Sequence, residues 1–201
     1  MENEELIPTQ QIGQQSDVEE QKAFSSRNKA EIAYRTSSGH LLKVNEWHKT
    51  SNFISMRFQL VGRNGEKLDR LAAEKDFIRI NFKVKDAQRR GYHAWVCIEH
   101  LEEFTDIYRD IDCTLMVTRP SNVPGSDEKK IAHFLSNRAT CTFLVFRQSN
   151  VLNVEIHGRN EAPNTEGLSL IDLAKNLVVN PGSEAELYLK HWHLLIKGIL
   201  C

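Results

Sequence analysis

The chain has 201 residues, 40% apolar and 26% charged, a composition that suits one hydrophobic core of domain size. No run of 18 or more apolar residues occurs, and the first 21 residues are acidic and polar. The sequence therefore argues against a membrane-spanning helix and against a secretory leader.

Charge is distributed unevenly behind the net value of −1. Residues 1–22 contain six acidic side chains and one basic side chain, whereas residues 57–90 contain ten basic and five acidic side chains. An acidic start and a basic middle suggest that the middle of the chain attracts an anionic partner.

The four cysteines are widely spaced and form no C-x-x-C pair. Cys97, Cys113 and Cys141 lie in apolar, strand-like runs, where a free thiol behaves as a small hydrophobic group. We interpret them as buried thiols of a protein in the reducing cytoplasm. The even number of cysteines leaves two disulfides open.

The first 28 residues are rich in Gln, Glu and Ser. They contain too little apolar surface to offset the backbone entropy lost on ordering, about 1–2 kcal/mol per residue. We predict a disordered acidic tail over residues 1–28 and a single β-rich globular domain over residues 29–201.

The domain is expected to open with two strands, over residues 31–36 and 41–47, because Ser37, Ser38 and Gly39 between them are typical of a turn. A third strand is predicted over residues 52–61, where apolar and polar residues alternate.

The clearest pattern lies at residues 76–85, which alternate with the two-residue period of a half-buried strand. The apolar parity carries Ile78, Ile80, Phe82 and Val84, and the polar parity carries Arg79, Asn81, Lys83 and Lys85. One face of this strand is predicted to be core and the other cationic.

Strands are also predicted over residues 92–100 and 111–118, with one or two helical turns from Leu101 between them. A short helix is expected over residues 127–135. Residues 140–147 and 151–157 form the clearest hairpin.

Near the C-terminus, residues 168–178 predict an amphipathic helix. Ser183 and Glu186 then match a capping box, which favours a last helix over residues 184–199. The alternative for this last segment is a strand, because its leucines and histidines share a parity.

The predicted fold class is mainly β within α+β. We expect an antiparallel β-sandwich or a strongly curved sheet, with a few short helices toward the C-terminus.

The leading functional hypothesis is a non-enzymatic binding or assembly module, because the nucleotide, hydrolase and metalloprotease motifs G-x-G-x-x-G, G-x-x-x-x-G-K-[ST], G-x-S-x-G and H-E-x-x-H are absent. The basic strand face would contact a protein or a polyanion such as nucleic acid. Its candidate residues are Arg57, Arg79, Lys83, Lys85, Arg89, Arg90 and Trp95. The competing explanation is an edge strand that basic side chains protect from pairing with other chains.

An alternative function is a small hydrolase-like or metal-assisted enzyme. Glu155 and His157 share a strand face and have the chemistry of an acid and base pair. An ordinary solvated sheet face explains the same two residues without catalysis.

His191 and His193 are weak candidates for metal binding. On a strand their imidazoles project to one side and can share a metal, whereas on a helix they lie about 200° apart. The capping box favours the helix, so no metal and no cofactor is predicted.

A further alternative is a small-ligand-binding β-barrel with Trp95 at its mouth, which requires an apolar cavity. The sequence leaves homo-oligomer formation open.

Overall fold

The computed structural model describes residues 6–50, 56–82, 93–165 and 184–200. The elements in chain order are β1 (Gln14–Ala23), α1 (Arg27–Leu42), a 3-10 turn (Val44–Glu46), α2 (Trp47–Thr50), β2 (Met56–Val61), β3 (Phe77–Phe82), β4 (His93–Asp106), β5 (Ile111–Pro120), β6 (Thr140–Gln148), β7 (Val151–Glu161) and α3 (Glu184–Leu200). Of these described helices, none is long and apolar enough to cross a membrane.

The strands form one antiparallel sheet in the order β1-β7-β6-β5-β4-β3-β2. The sheet is strongly curved and does not close. The predicted antiparallel curved sheet is therefore confirmed. Helix α3 lies at the C-terminal end as expected, whereas α1 and α2 precede β2.

The main core lies between the helices and one face of the sheet, which we call the inner face. Alternate strand residues point there because of the two-residue period of a strand. Helix α3 contributes an apolar stripe with helical spacing, formed by Trp192, Leu195, Ile196 and Ile199, all buried.

Four aromatic rings connect the layers of this core. Trp47 of α2 packs against Phe58 at 5.0 Å and against Phe143 at 5.2 Å between ring centroids. Phe143 in turn meets Trp192 of α3 at 5.6 Å. The indole N–H of Trp47 donates to the Leu41 carbonyl at 2.9 Å, so its burial leaves no unpaired donor.

The opposite side of the sheet, the outer face, has a smaller apolar cluster. Its buried members come from β5 and β6 and are Ile111, Cys113, Leu115, Val117, Leu144 and Phe146. Leu6 and Ile7 pack against this cluster from the N-terminal segment. Strand β5 is consequently buried on both faces.

Arg147 at the end of β6 has a side chain only 1% exposed. Its guanidinium donates to Asp112 at 2.8 Å, to Asp110 at 2.9 Å and to the Ser149 carbonyl at 2.8 Å. Asp110 also pairs with Arg27 at the start of α1 at 2.8 Å. This cluster joins the β4–β5 and β6–β7 turns to the start of α1.

The prediction of a disordered tail over residues 1–28 is wrong for residues 14–23, which form β1 and pair with β7. The polar composition of this segment is that of an edge strand with an exposed face. Val18 alone enters the core, where it is 2% exposed.

The two strands predicted over residues 31–36 and 41–47 are also wrong, because α1 and the short helices occupy this region. Ser37 and Ser38 are buried on α1 instead of forming a turn. Ser38 donates to Glu103 at 3.1 Å and shares a hydrogen bond with Thr114 at 2.8 Å. Small hydroxyl side chains therefore mark where the helix approaches the sheet closely.

Two further helices were predicted wrongly: β4 continues as a strand to Asp106, and residues 127–135 form no helix. The β6–β7 hairpin and the strand at residues 77–82 are confirmed. The last segment is a helix, as favoured. The helix predicted at residues 168–178 and the cap residue Ser183 lie outside the described residues.

Replacement of Arg147 by Leu is expected to lower the free energy of unfolding by about 3 kcal/mol, because two aspartates lose their buried cation. Urea denaturation measures the change. Arg138→Leu, at an exposed position, is the matched control and should change stability by less than about 0.5 kcal/mol. Equal effects of the two substitutions would contradict the structural role of Arg147.

Candidate functional site

A cavity lies inside the main core, between the inner face of the sheet and the helices. Its interior is about 50 Å³, and the empty space including its open mouth is about 610 Å³. Since one water needs roughly 10–15 Å³ by this measure, the interior has room for only a few atoms. A larger molecule would have to occupy the mouth as well or displace flexible lining side chains such as Met56.

The wall of the cavity is mainly apolar and aromatic. The four packed rings described above contribute to it, together with Ile78 and Ile80 of β3, Val96 of β4 and Leu135. The lining thus comes from α2, α3 and six of the seven strands. An apolar cavity lined from so many elements is the usual form of a small-molecule site.

Glu161 brings a carboxyl group to this apolar wall. The residue is 8% exposed, and its Oε1 accepts a hydrogen bond from Ser16 Oγ at 3.2 Å. Burial raises the pKa of Glu161 to about 7, so both protonation states are populated near neutral pH.

A β-bulge directs Glu161 to the inner face. By strict alternation Glu161 would share the outer face with Glu155 and His157. The register against β1 shifts between Gln14 and Ser16, and Asn160 adopts a left-handed conformation with φ 56°. The extra residue reverses the facing of Glu161.

The N-terminal segment holds this bulge in place. Asn160 Oδ1 accepts from the backbone N–H groups of Gln11 at 2.7 Å and Ile12 at 3.1 Å, and its Nδ2 donates to the Thr9 carbonyl at 3.0 Å. Gly158 leaves room for the carboxyl group, since a Cβ there would collide with Glu161 and with Ser16 Oγ. Glu161 is therefore positioned by the backbone around it.

Two other titratable groups of the lining are neutral. Burial lowers the pKa of His133 to about 3, and its Nδ1 accepts the Leu135 N–H at 3.0 Å, so the ring proton sits on Nε2. Burial raises the pKa of Cys141, which keeps the thiol protonated. Among the described lining residues, Glu161 is the one group that carries charge near neutral pH.

Sequence analysis raised an apolar ligand cavity only as a further alternative and did not identify the residues that line it. Its polar group could have been suspected from the run of Gly158, Arg159 and Asn160, which interrupts the apolar alternation of β7. No pattern in the sequence, however, reveals a void between side chains.

The structure brings Glu155 and His157 together on the outer face, as their spacing predicted. His157 Nε2 lies 2.9 Å from Glu155, and Nδ1 lies 2.6 Å from Asp17 of β1, a partner that the sequence did not indicate. Arg159 also contacts Asp17 at 2.7 Å. The group is a carboxylate–imidazole–carboxylate chain across the β1–β7 pair.

Burial would lower the pKa of His157, but hydrogen bonds to Glu155 and Asp17 outweigh it and raise the pKa above the usual value. Burial likewise disfavours the charge on Asp17, and hydrogen bonds from His157 and Arg159 reverse that effect, so the pKa of Asp17 is lowered. The imidazolium donates through both nitrogens. It has no free lone pair with which to accept a proton, as a general base must.

A polar groove of about 310 Å³ lies beside the hydrogen-bonded group of Glu155, His157 and Asp17. It is lined by Glu19, Glu20, Gln21, Asn153 and Glu155, and His157 is not part of its wall. The groove therefore presents carboxylates and amides without the imidazole that the enzymatic alternative requires.

The basic strand face is seen only in part. Arg57 is exposed on β2, and Arg79 of β3 is half-buried opposite Gln59. Trp95 is 9% exposed and is not among the residues that line this cavity. Lys83, Lys85, Arg89 and Arg90 lie outside the described residues.

Helix α3 carries His191 and His193, whose side chains diverge on a helix and are not placed to share a metal. In the described ranges, no group of three or more His, Cys, Asp or Glu side chains is arranged to hold a metal ion.

His157→Gln should destabilise the protein in a pH-dependent way. A raised folded-state pKa contributes stability that is fully present below the unfolded value of about 6.5 and is lost as pH rises through the folded value. We expect a loss of about 1–3 kcal/mol at about pH 5.5 that shrinks at about pH 9. Urea denaturation at both values measures it, with the exposed His193→Gln as control. A loss that is the same at both pH values would contradict the imidazolium assignment.

Comparison with known proteins yields similarity in fold alone. No protein-family model matches the chain, and no curated protein matches it in sequence. A crystal structure of a hypothetical protein from Helicobacter pylori has a TM-score of 0.54 at 10% identity, and the match covers 94% of this chain and 87% of that one.

Two plant proteins match less well. Major latex-like protein 151 from Panax ginseng has a TM-score of 0.41 at 11% identity, with 94% and 97% of the two chains covered. Truncated norcoclaurine synthase from Thalictrum flavum has a TM-score of 0.40 at 8% identity, with 96% of each chain covered. The chain shares a fold with the bacterial protein, and the plant proteins carry no argument about function.

Proposed function

We propose that the protein binds a small, largely apolar molecule in the cavity between the inner face of the sheet and α3. The observation that carries this proposal is the cavity itself, which lies in the middle of the main core and is walled by aromatic and aliphatic side chains.

Protein interiors are normally packed as densely as organic crystals, and an empty space in the core lowers stability. A cavity that opens to solvent on one side and is apolar within favours the entry of an apolar ligand, because binding removes apolar surface from water. The cavity thus has a physical reason to be occupied.

Binding without catalysis is the form of this proposal that the chemistry supports. The cavity wall presents a protonated thiol at Cys141, a neutral imidazole at His133 and one carboxyl group at Glu161, whereas the acid and base pair of the enzymatic alternative lies on the opposite face. His157 is held between two carboxylates, an arrangement that stabilises the β1–β7 pair.

The basic strand face is less well supported as a surface for a protein or polyanion. Trp95 is buried and so is not a stacking platform for bases, which removes the aromatic part of that hypothesis. Among the described residues of this face, Arg57 and Arg79 give a small charge contribution.

Filling the cavity should abolish binding. Ala139 is 1% exposed and lines the cavity, so Ala139→Leu places three additional carbon atoms at its wall. We expect the protein to bind hexan-1-ol, measured by chemical-shift changes in two-dimensional NMR titrations, and the variant to lose at least about tenfold in affinity.

Ala132→Leu is the matched control, because Ala132 is half-buried in the same connection and does not line the cavity. The control should bind hexan-1-ol as the unaltered protein does. Binding that survives in Ala139→Leu, or no binding by the unaltered protein, would overturn the proposed function. Circular dichroism confirms that each variant is folded.

A further inference from the structure

The cavity has one charged group and nothing in its described wall to neutralise it. Glu161 stands among apolar side chains, and neither lysine nor arginine is present among the described lining residues. Arg159, the neighbouring cation, makes its contacts on the outer face with Asp17 and with backbone carbonyls.

The two oxygens of Glu161 differ in their contacts. Oε1 is bound by Ser16 Oγ at 3.2 Å, whereas Oε2 has no hydrogen-bond donor among the described residues. A carboxylate accepts several hydrogen bonds when it is ionised, so Oε2 has unused acceptor capacity. Burial disfavours the ionised form more than Ser16 and the more distant charge of Arg159 favour it, which agrees with the raised pKa of this group.

From this arrangement, and resting on the proposed function, we infer that the cavity selects apolar ligands that carry a protonated amine, with the ammonium group held by Glu161 and the hydrocarbon part against the aromatic wall. An ammonium group supplies both the missing positive charge and the hydrogen-bond donors that the carboxylate lacks.

Other head groups match the site less well. A ligand carboxylate would place a second negative charge beside Glu161, so one of the two would have to be protonated. A hydroxyl group donates one hydrogen bond but leaves the buried charge uncompensated. The order of preference is therefore amine over alcohol over carboxylate.

Proton linkage gives this preference a pH dependence. The ammonium binds the ionised form of Glu161, so amine affinity rises as pH increases through about 7, while an alkylamine itself stays protonated below about pH 10. The affinity of an alcohol lacks this increase.

The test uses three probes with the same chain, hexylamine, hexan-1-ol and hexanoate, titrated at about pH 6 and about pH 8.5 into the full chain and followed by NMR. We expect the ratio of amine affinity to alcohol affinity to rise about tenfold between these values. The lower pH is about one unit below the pKa of Glu161, so about a tenth of the carboxyl groups are ionised there, and nearly all are ionised at the higher pH. In Glu161→Gln the ratio should be flat, and hexanoate should bind more tightly than it does to the unaltered protein.

Glu128→Gln is the matched control, since Glu128 is exposed in the connection before β6 and does not line the cavity. It should reproduce the rising ratio. A general loosening of the core would change both affinities and leave their ratio the same. Glutamine also keeps an oxygen that accepts a hydrogen bond from Ser16. If Glu161 had only a structural role, the ratio of amine affinity to alcohol affinity in Glu161→Gln would therefore equal that of the unaltered protein.

The outcomes separate the two proposals. The amine inference is wrong, and the proposed function stands, if hexan-1-ol binds but the relative affinity of hexylamine does not rise with pH. The same conclusion follows if that affinity rises equally in Glu161→Gln. If hexan-1-ol does not bind at either pH, the proposed function fails and the inference that rests on it fails as well.

Discussion

The pairing of β1 with β7 is the interaction on which the other features depend. It attaches the start of the chain to the last strand of the sheet and gives the open edge of β7 a partner. Ser16 then meets Glu161 on the inner face, and Asp17 meets His157 on the outer face. Without this strand, Glu161 and His157 would each lose a hydrogen bond that shifts its pKa.

The acidic side chains on the two faces of this strand pair have opposite electrostatic surroundings. On the outer face Glu155 and Asp17 share a cation, and the charges compensate each other. On the inner face Glu161 has no cation in hydrogen-bond contact, and its ionisation costs free energy that the more distant Arg159 only partly offsets. Such local deviations from charge balance are more common at functional sites than in purely structural regions. For this reason we place the proposed binding site on the inner face.

The sequence predicted best where alternation was long and uninterrupted, as in the β6–β7 hairpin and at Ile78 and Ile80. It failed where tertiary contacts override local preference. Ser37 and Ser38 resemble a turn, yet they are buried where α1 approaches the sheet, and the polar segment of β1 is ordered by β7. The face on which Glu161 lies could not be predicted, because the bulge at Asn160 turns the next residue to the opposite side of the sheet.

Asp17 and His157 are 140 positions apart in the chain, so the edge strand is synthesised long before its partner. Synthesis proceeds at roughly 5–20 residues per second, so on the order of ten seconds or more pass between the synthesis of β1 and that of β7. During this interval the backbone groups of β1 lack their partner strand. The acidic side chains of β1 repel one another and other copies of the same segment during that interval. These like charges therefore disfavour pairing between two copies of the segment before β7 has been made.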